Sequence, residues 1–272
     1  MLDFLALLFN SLIINPMINS LLFLYSLLGG QFWLAIILFT VLVKIITFPL
    51  NWQQIKSSRA MMDLQHSKAW QDMQKKYAKD KEKLAQATMA IYKEKGVSPF
   101  GSCLPTLIQF PVLIGLYQSI TRVLTPAPLQ LLDLTGLIYP FLSNVEKLIP
   151  VNPHFLWMNL GQPERLLIPG LAFGIPTLAI LVVLSTYIQQ KLIVMPGADA
   201  SQAQMTQMMN LYMPLMFGYF VMSYSSGLGL YFFISNLLTI AQYALTGQVD
   251  WKNVLTLPSF GRTAAPARSS KK

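Results

Sequence analysis

An all-α, polytopic membrane protein, with five transmembrane helices, a cytoplasmic helical hairpin and an N-terminal interfacial helix, is the fold class that three observations predict. The first is composition: of 272 residues 54% are hydrophobic and 11% charged, with a mean hydropathy of +0.48, more apolar area than a water-facing surface tolerates. The second is the recurrence of apolar stretches near the ~20 residues that a helix needs to cross roughly 30 Å of hydrocarbon. The third is charge placement. Of the 20 Lys and Arg, ten fall between Asn51 and Pro99 and five more lie from Lys252 onward, whereas residues 1–43 hold none. That asymmetry puts both basic blocks on the cytoplasmic side. It also accounts for a formal charge of +9 without a nucleic-acid partner, so no DNA is expected. The single cysteine, Cys103, rules out a disulfide scaffold.

Taken in order, residues 1–26 are apolar but carry Ser11, Asn15 and Asn19 at intervals of four, a polar helical face that suits a helix lying in the membrane interface. Residues 27–51 form the first span. Residues 52–98 form the basic hairpin: no Pro or Gly interrupts Trp52–Tyr77, and Met62, Ala69, Met73 and Tyr77 recur at helical spacing. Leu84, Ala87, Ala90, Ile91 and Tyr92 do the same in a second helix, with Asp80 placed to cap it and Gly96 to end it. The second span is 99–124, its apolar run starting at Cys103. An extracytoplasmic connection, 125–166, follows. Within it 131–149 is interrupted by Gly136, Pro140, Ser143 and Asn144, and reads as a surface-lying or re-entrant element. The third span is 167–192, a cytoplasmic loop 193–207, the fourth span 208–223 and the fifth 228–247, the last two joined by a tight outer turn. Residues 248–272 are a basic cytoplasmic tail. Five crossings with the hairpin inside place the N-terminus outside and the C-terminus in the cytoplasm.

Lys44 is the sharpest signal. A mid-span ammonium costs roughly 2.5 to 3.5 kcal/mol on insertion scales, so such residues face cavities or snorkel toward headgroups. Its neighbours favour the cavity: Thr40, Lys44, Thr47 and Asn51 are spaced by four, three and four and share one helical face. Similar stripes occur at Ser102, Thr106 and Gln109, at Ser185 and Gln189, and at Ser235, Thr239, Gln242 and Thr246. No Asp or Glu lies within the spans to neutralise the cation. Together these predict a wet, positively charged cavity in the inner half of the bilayer, suited to an acidic ligand arriving from the cytoplasm, either a polypeptide or an anionic solute.

The chain contains no His-Glu-x-x-His, no Gly-x-Ser-x-Gly and no pair of intramembrane aspartates, so covalent catalysis is not expected. Neither is a metal or a cofactor, since His66 and His154 fall on opposite sides of the membrane in this topology. Met61, Met62, Met73 and Met89 on the hairpin fit two roles, packing its helices together or touching apolar segments of varied shape.

One set of short motifs runs in order along the chain. It comprises Lys44-Ile-Ile-Thr-Phe-Pro-Leu, Gln74-Lys-Lys-Tyr, Ile91-Tyr-Lys-Glu-Lys-Gly-Val-Ser-Pro-Phe-Gly, Cys103-Leu-Pro-Thr-Leu-Ile-Gln-Phe-Pro, Leu160-Gly-Gln-Pro-Glu, Gln189-Gln-Lys and Ser226-Gly-Leu-Gly-Leu-Tyr-Phe-Phe-Ile-Ser-Asn. In order and spacing these resemble the YidC/Oxa/Alb membrane protein insertases, in the short form without a large extracytoplasmic domain, from about Phe32 to Gln248. The resemblance implies a non-enzymatic insertase and chaperone of the bacterial plasma membrane. Its groove would be open to cytoplasm and lipid and closed outside, receiving nascent hydrophobic segments, moving their short acidic tails across and releasing the span sideways into the bilayer. It implies nascent membrane proteins as clients, the lipid bilayer as surroundings and a monomer as working unit, and it leaves contact with the ribosome or a Sec translocon open. Lys44 stands where the family usually has Arg, which keeps the charge but loses the planar fork for carboxylates. By the same resemblance Gln189, Tyr231, Phe232 and Asn236 match groove or substrate-facing positions. The alternative from the residues alone is a small-anion transporter, which would call for an internal repeat that the two halves do not show.

Overall fold

A computed structural model describes residues 2–77, 80–96, 104–124, 127–167, 174–193 and 200–245. The chain opens with a rod made of α1 (Leu2–Phe9) and α2 (Asn15–Leu27), joined through a π-helical turn at Asn10–Ile14. Gly29 and Gly30 then take φ of 62° and 78°, a left-handed backbone that side chains oppose, and turn the chain into the next helix. That helix, α3 (Phe32–His66), runs 35 residues through Pro49 without interruption. The sequence pattern had a span starting at residue 27 and a separate helix at 52. The glycines delay the start, and no helix end intervenes between span and basic segment.

The break comes instead at Ser67, whose backbone is extended at φ −68° and ψ 147°. Its Oγ donates to Leu64 O and accepts from Trp70 N, capping α4 (Lys68–Tyr77). α5 (Lys81–Glu94) packs back on α4 through stacked Trp70 and Tyr92, 5.6 Å between centroids, with Leu64 and Met73 buried beside them. Asp80 and Gly96 stand where the sequence puts a cap and a stop: Asp80 accepts from Lys83 N at 3.1 Å, and Gly96 has φ 65°. The Lys83 N–H and ammonium hold the Asp80 carboxyl below its usual range. The cap's contribution is therefore present above the ordinary Asp pKa of about 3.9 and is lost as pH falls through the lowered value.

α6 (Leu104–Val123) is followed by α7 (Pro128–Thr135), a 3-10 stretch at Pro140–Leu148 and a two-stranded hairpin, β1 (His154–Phe155) paired antiparallel with β2 (Met158–Asn159). The last three helices are α8 (Thr177–Ile193), α9 (Ala200–Ser223) and α10 (Ser226–Leu245). Helix α8 begins at Thr177 rather than near residue 167; just before it Leu166 and Ile175 exchange backbone hydrogen bonds of 2.9 Å.

Segment Asn159–Glu164 fastens this end of the bundle. Ser226 N donates to Gln162 O at 2.8 Å and Gly227 N to Leu160 O at 2.9 Å, satisfying the first amides of α10. Buried Glu164 accepts from Trp157 Nε1 and Thr177 Oγ1, both 2.8 Å, and from Leu178 N at 3.1 Å, a carboxylate at the positive start of α8.

Helix α8 lies between α9 and α10, and α3 packs on both α10 and α2. At Gly218 the approach of α9 to α8 is so close that an added Cβ would collide with Val183 Cγ2, the small-residue contact by which helices associate in lipid. Ile14, Ile18, Leu21, Leu22, Ala35, Ile36, Leu116, Ile120 and Val182 are wholly buried. The outer faces are apolar too: Ile46 is 75% exposed, Tyr219 68% and Leu215 54%, a surface suited to lipid. By length and composition Ala6–Leu27, Phe32–Ser57 and Ser226–Leu245 suffice to cross a membrane, while Thr177–Leu192 and Leu211–Ser223 are shorter apolar helices.

The Ser11, Asn15 and Asn19 stripe is not one wet face. Ser11 is exposed, but Asn19 is buried, donating to Asn15 O and Leu137 O and accepting from Tyr139 N, all within 2.9 Å. Asn19 thereby fastens the first rod to the connection after α7. Replacing Glu164 by Ala strands three donors, of which the Leu178 amide is buried and Thr177 Oγ1 and Trp157 Nε1 are partly open, and should lower unfolding stability by about 2 kcal/mol, measured in detergent. Glu164→Gln should lose less.

Candidate functional site

The polar stripes of four helices meet along α10. Lys44 Nζ, on α3 beside exposed Ile45 and Ile46, donates to Thr239 Oγ1 at 2.8 Å, and Thr239 Oγ1 donates on to Ser235 O at 2.8 Å. Lys44 remains partly exposed, and no ion pair among the described residues includes it. With one of three ammonium donors committed to a neutral hydroxyl, it keeps the capacity to bind an anion.

On α6, Gln109 Nε2 donates to Tyr231 OH at 2.6 Å, and Tyr231 is 1% exposed. On α8, Ser185 and Thr186 both accept from Asn236 Nδ2, at 3.0 and 2.8 Å. Residues 231, 236 and 239 thus serve three neighbouring helices within about two turns of α10. Thr186 was missed by the sequence reading, although its place beside Ser185 would have offered it.

The remaining predicted residues separate. Thr40 is fully buried and donates to Ile36 O of its own helix at 2.7 Å; Thr47 does likewise to Val43 O at 2.8 Å but is half-buried. Asn51 and Gln189 are half-buried on the same sides as Lys44 and Ser185. Phe232 packs edge-on against Phe217 with centroids 4.9 Å apart, so it joins α9 to α10. The side chains of Thr106, Met61 and Met62, and all of Ser102 and Thr246, lie outside the described residues. Met73 is buried with Trp70 and Tyr92 and serves the packing of α4 on α5, whereas Met89 is 50% exposed. Toward the α4 side of the seam Gln190 Oε1 and Gln242 Nε2 are buried with no protein partner among the described residues. One open donor and one open acceptor therefore stand there.

Apolar-faced helices enclosing a hydrogen-bonded polar seam with a cation on it define a polytopic membrane protein. The sequence model of the family described as 60Kd inner membrane protein matches residues 23–252. The membrane protein insertase MisCA of Bacillus subtilis is 32% identical over 245 residues, covering 88% of this chain and 79% of its own. The membrane protein insertase YidC 1 of Halalkalibacterium halodurans is 33% identical over 243 residues, with 88% and 79% covered. Among solved structures, an active YidC insertase with its first transmembrane domain resolved superposes with TM-score 0.55 at 25% identity, covering 88% of this chain and 46% of that one. The chain belongs to the 60Kd inner membrane protein family, the YidC/Oxa/Alb group that its motifs resemble.

Removing the amide that ties α10 to α8, as Asn236→Leu, should cost about 1 kcal/mol, the usual scale of an interhelical hydrogen bond in a membrane. Reversible unfolding in mixed micelles would measure it.

Proposed function

We propose that this chain is a membrane protein insertase that works without covalent chemistry, its substrates being nascent hydrophobic segments with short acidic tails. The observation that carries this reading is the Lys44 ammonium, tethered among the described residues to Thr239 and with donors left for a carboxylate, inside a family whose named relatives are insertases. A polar tail in hydrocarbon faces a cost of several kcal/mol for each unsatisfied backbone group. The seam from Gln109 and Tyr231 through Asn236 to Lys44, with Gln190 and Gln242 unpartnered beyond it, would supply partners over part of that distance. Lys44 then holds the acidic side chain transiently. Its ammonium lacks the bidentate fork of Arg, which favours release.

The short helices support the same picture. Helix α8 has 17 residues, about 25 Å of helix at 1.5 Å per residue, less than the roughly 30 Å of an average hydrocarbon core. A bilayer thinned to match would leave less apolar distance for a tail to cross. Partition of the apolar segment into lipid, at about 25 cal/mol per Å² buried, drives lateral release. In this reading residues 1–26 lie in the outer interface, the basic α4 and α5 face the cytoplasm, and exposed Met89 contacts emerging apolar segments.

The test is insertion of a single-span substrate with an acidic outer tail into liposomes holding the purified protein, read by protease protection. Lys44→Arg should insert at least as well as wild type. Lys44→Ala should fall roughly three- to ten-fold, as expected for losing one charge-assisted contact, and a substrate with a neutral tail should be spared. Equal insertion by all three proteins would sink the cation mechanism.

A further inference from the structure

A second cation stands at the other end of the bundle, where the seam does not reach. Arg122, the penultimate residue of α6, contacts Asn10 Oδ1 and Gln118 Oε1, each at 3.5 Å. Both partners are neutral, and both distances lie at the outer limit of hydrogen bonding, so most of its five N–H donors are uncommitted. No ion pair among the described residues includes it, and the guanidinium's residue is half-buried rather than free in solvent.

The notch around it is made by two elements held in fixed register. Asn10 opens the π-helical turn of the first rod. One turn further along, Gly115 of α6 lets that rod approach until an added Cβ would lie 2.6 Å from Ile13 Cγ2 and 2.8 Å from Met17 Sδ, and Ser119 Oγ donates to Gly115 O beside Ile14. Apolar and bare side chains lie nearby: Leu7, one turn before Asn10, is 63% exposed, and on α7, which packs on α6, Leu129 78% and Leu132 68%.

We infer that Arg122, with Asn10 and Gln118, binds the phosphate of an anionic phospholipid whose acyl chains lie along the exposed faces of α1 and α7. The ligand must present an anion and a large apolar body within a few ångströms of each other. A free phosphate leaves the leucines uncovered, and an acidic peptide would lay polar backbone against them. The planar fork suits two phosphate oxygens at once, and an Arg in the last turn of an apolar helix is placed to reach a headgroup. Bound lipid would bridge the first rod to α6, so its presence should order residues 2–14. The site requires residence in a membrane and nothing of the insertion mechanism.

Native mass spectrometry of the full-length protein, exchanged into micelles containing phosphatidylglycerol or phosphatidylcholine with identical chains, tests this. Wild type should retain the anionic lipid in preference to the zwitterionic one. Arg122→Gln should reduce that retention roughly ten-fold, as for loss of a charged hydrogen-bond pair, Arg122→Lys should fall between, and Lys44→Gln should match wild type. Amide exchange over residues 2–14 should slow on adding phosphatidylglycerol in wild type and not in Arg122→Gln. Unchanged selectivity in Arg122→Gln overturns the site, as does equal retention of both lipids by wild type. Displacement of the lipid by an equal concentration of inorganic phosphate would overturn its lipid character. Should Arg122→Gln fail to fold, Asn10→Ala combined with Gln118→Ala must weaken retention for the inference to stand.

Discussion

Hydrocarbon offers no partner to a polar side chain, and α10 answers that constraint for the whole bundle. Gln109 of α6, Lys44 of α3, and Ser185 and Thr186 of α8 all find their hydrogen-bond partners on it, at Tyr231, Thr239 and Asn236. Because those partners lie within about two turns of one helix, the three neighbours are drawn to a common depth and their polar faces to a common side. The lipid-facing sides are then free to be uniformly apolar, as Ile46, Leu215 and Tyr219 are.

The two ends of that seam differ in how completely they are satisfied. Where α8 and α10 begin, the Asn159–Glu164 segment takes up the first amides of both, and the Glu164 carboxylate is saturated by three donors. Ser225 Oγ, just before α10, is buried there without a partner among the described residues. Toward the other end Lys44 has a single neutral partner, and Gln190 Oε1 and Gln242 Nε2 have none among the described residues. Polar groups buried without partners are costly unless something wet or polar visits them. The proposed insertase reading draws on this difference between Glu164, with three donors, and Lys44, with one hydroxyl acceptor among the described residues.

Much of this was legible in the chain because helical geometry is local. The spacing of Thr40, Lys44, Thr47 and Asn51 fixes a face whatever the helix packs against, and the same holds for Ser235 and Thr239. Asp80 and Gly96 announce a helix's limits through their own backbone preferences. The failures are of one kind. Nothing in Trp52–Tyr77 announces that the first span continues to His66 and breaks at Ser67, since Ser67 becomes a cap only when Trp70 must be turned in to stack on Tyr92. The start of α8 comes just after Leu166 meets Ile175. Asn19 reads as a polar position on a surface helix until Leu137 and Tyr139, more than a hundred residues away, bury it.

The amino-acid order by itself determined that this is a helical membrane protein, which faces of its helices are polar, and that one cation lies inside. Each of those follows from composition, charge asymmetry and a 3.6-residue period, which involve neighbours only. Tertiary structure alone decided which polar faces meet. Lys44 goes to Thr239, Gln109 to Tyr231 and Asn236 to a pair of hydroxyls, while Glu164 is spent on fastening α8 and Arg122 is left nearly unpaired. Periodicity gives the angle of a side chain about its own axis. It says nothing of the axis across from it, and in lipid the choice among several equally apolar neighbours rests on which polar groups can be satisfied together.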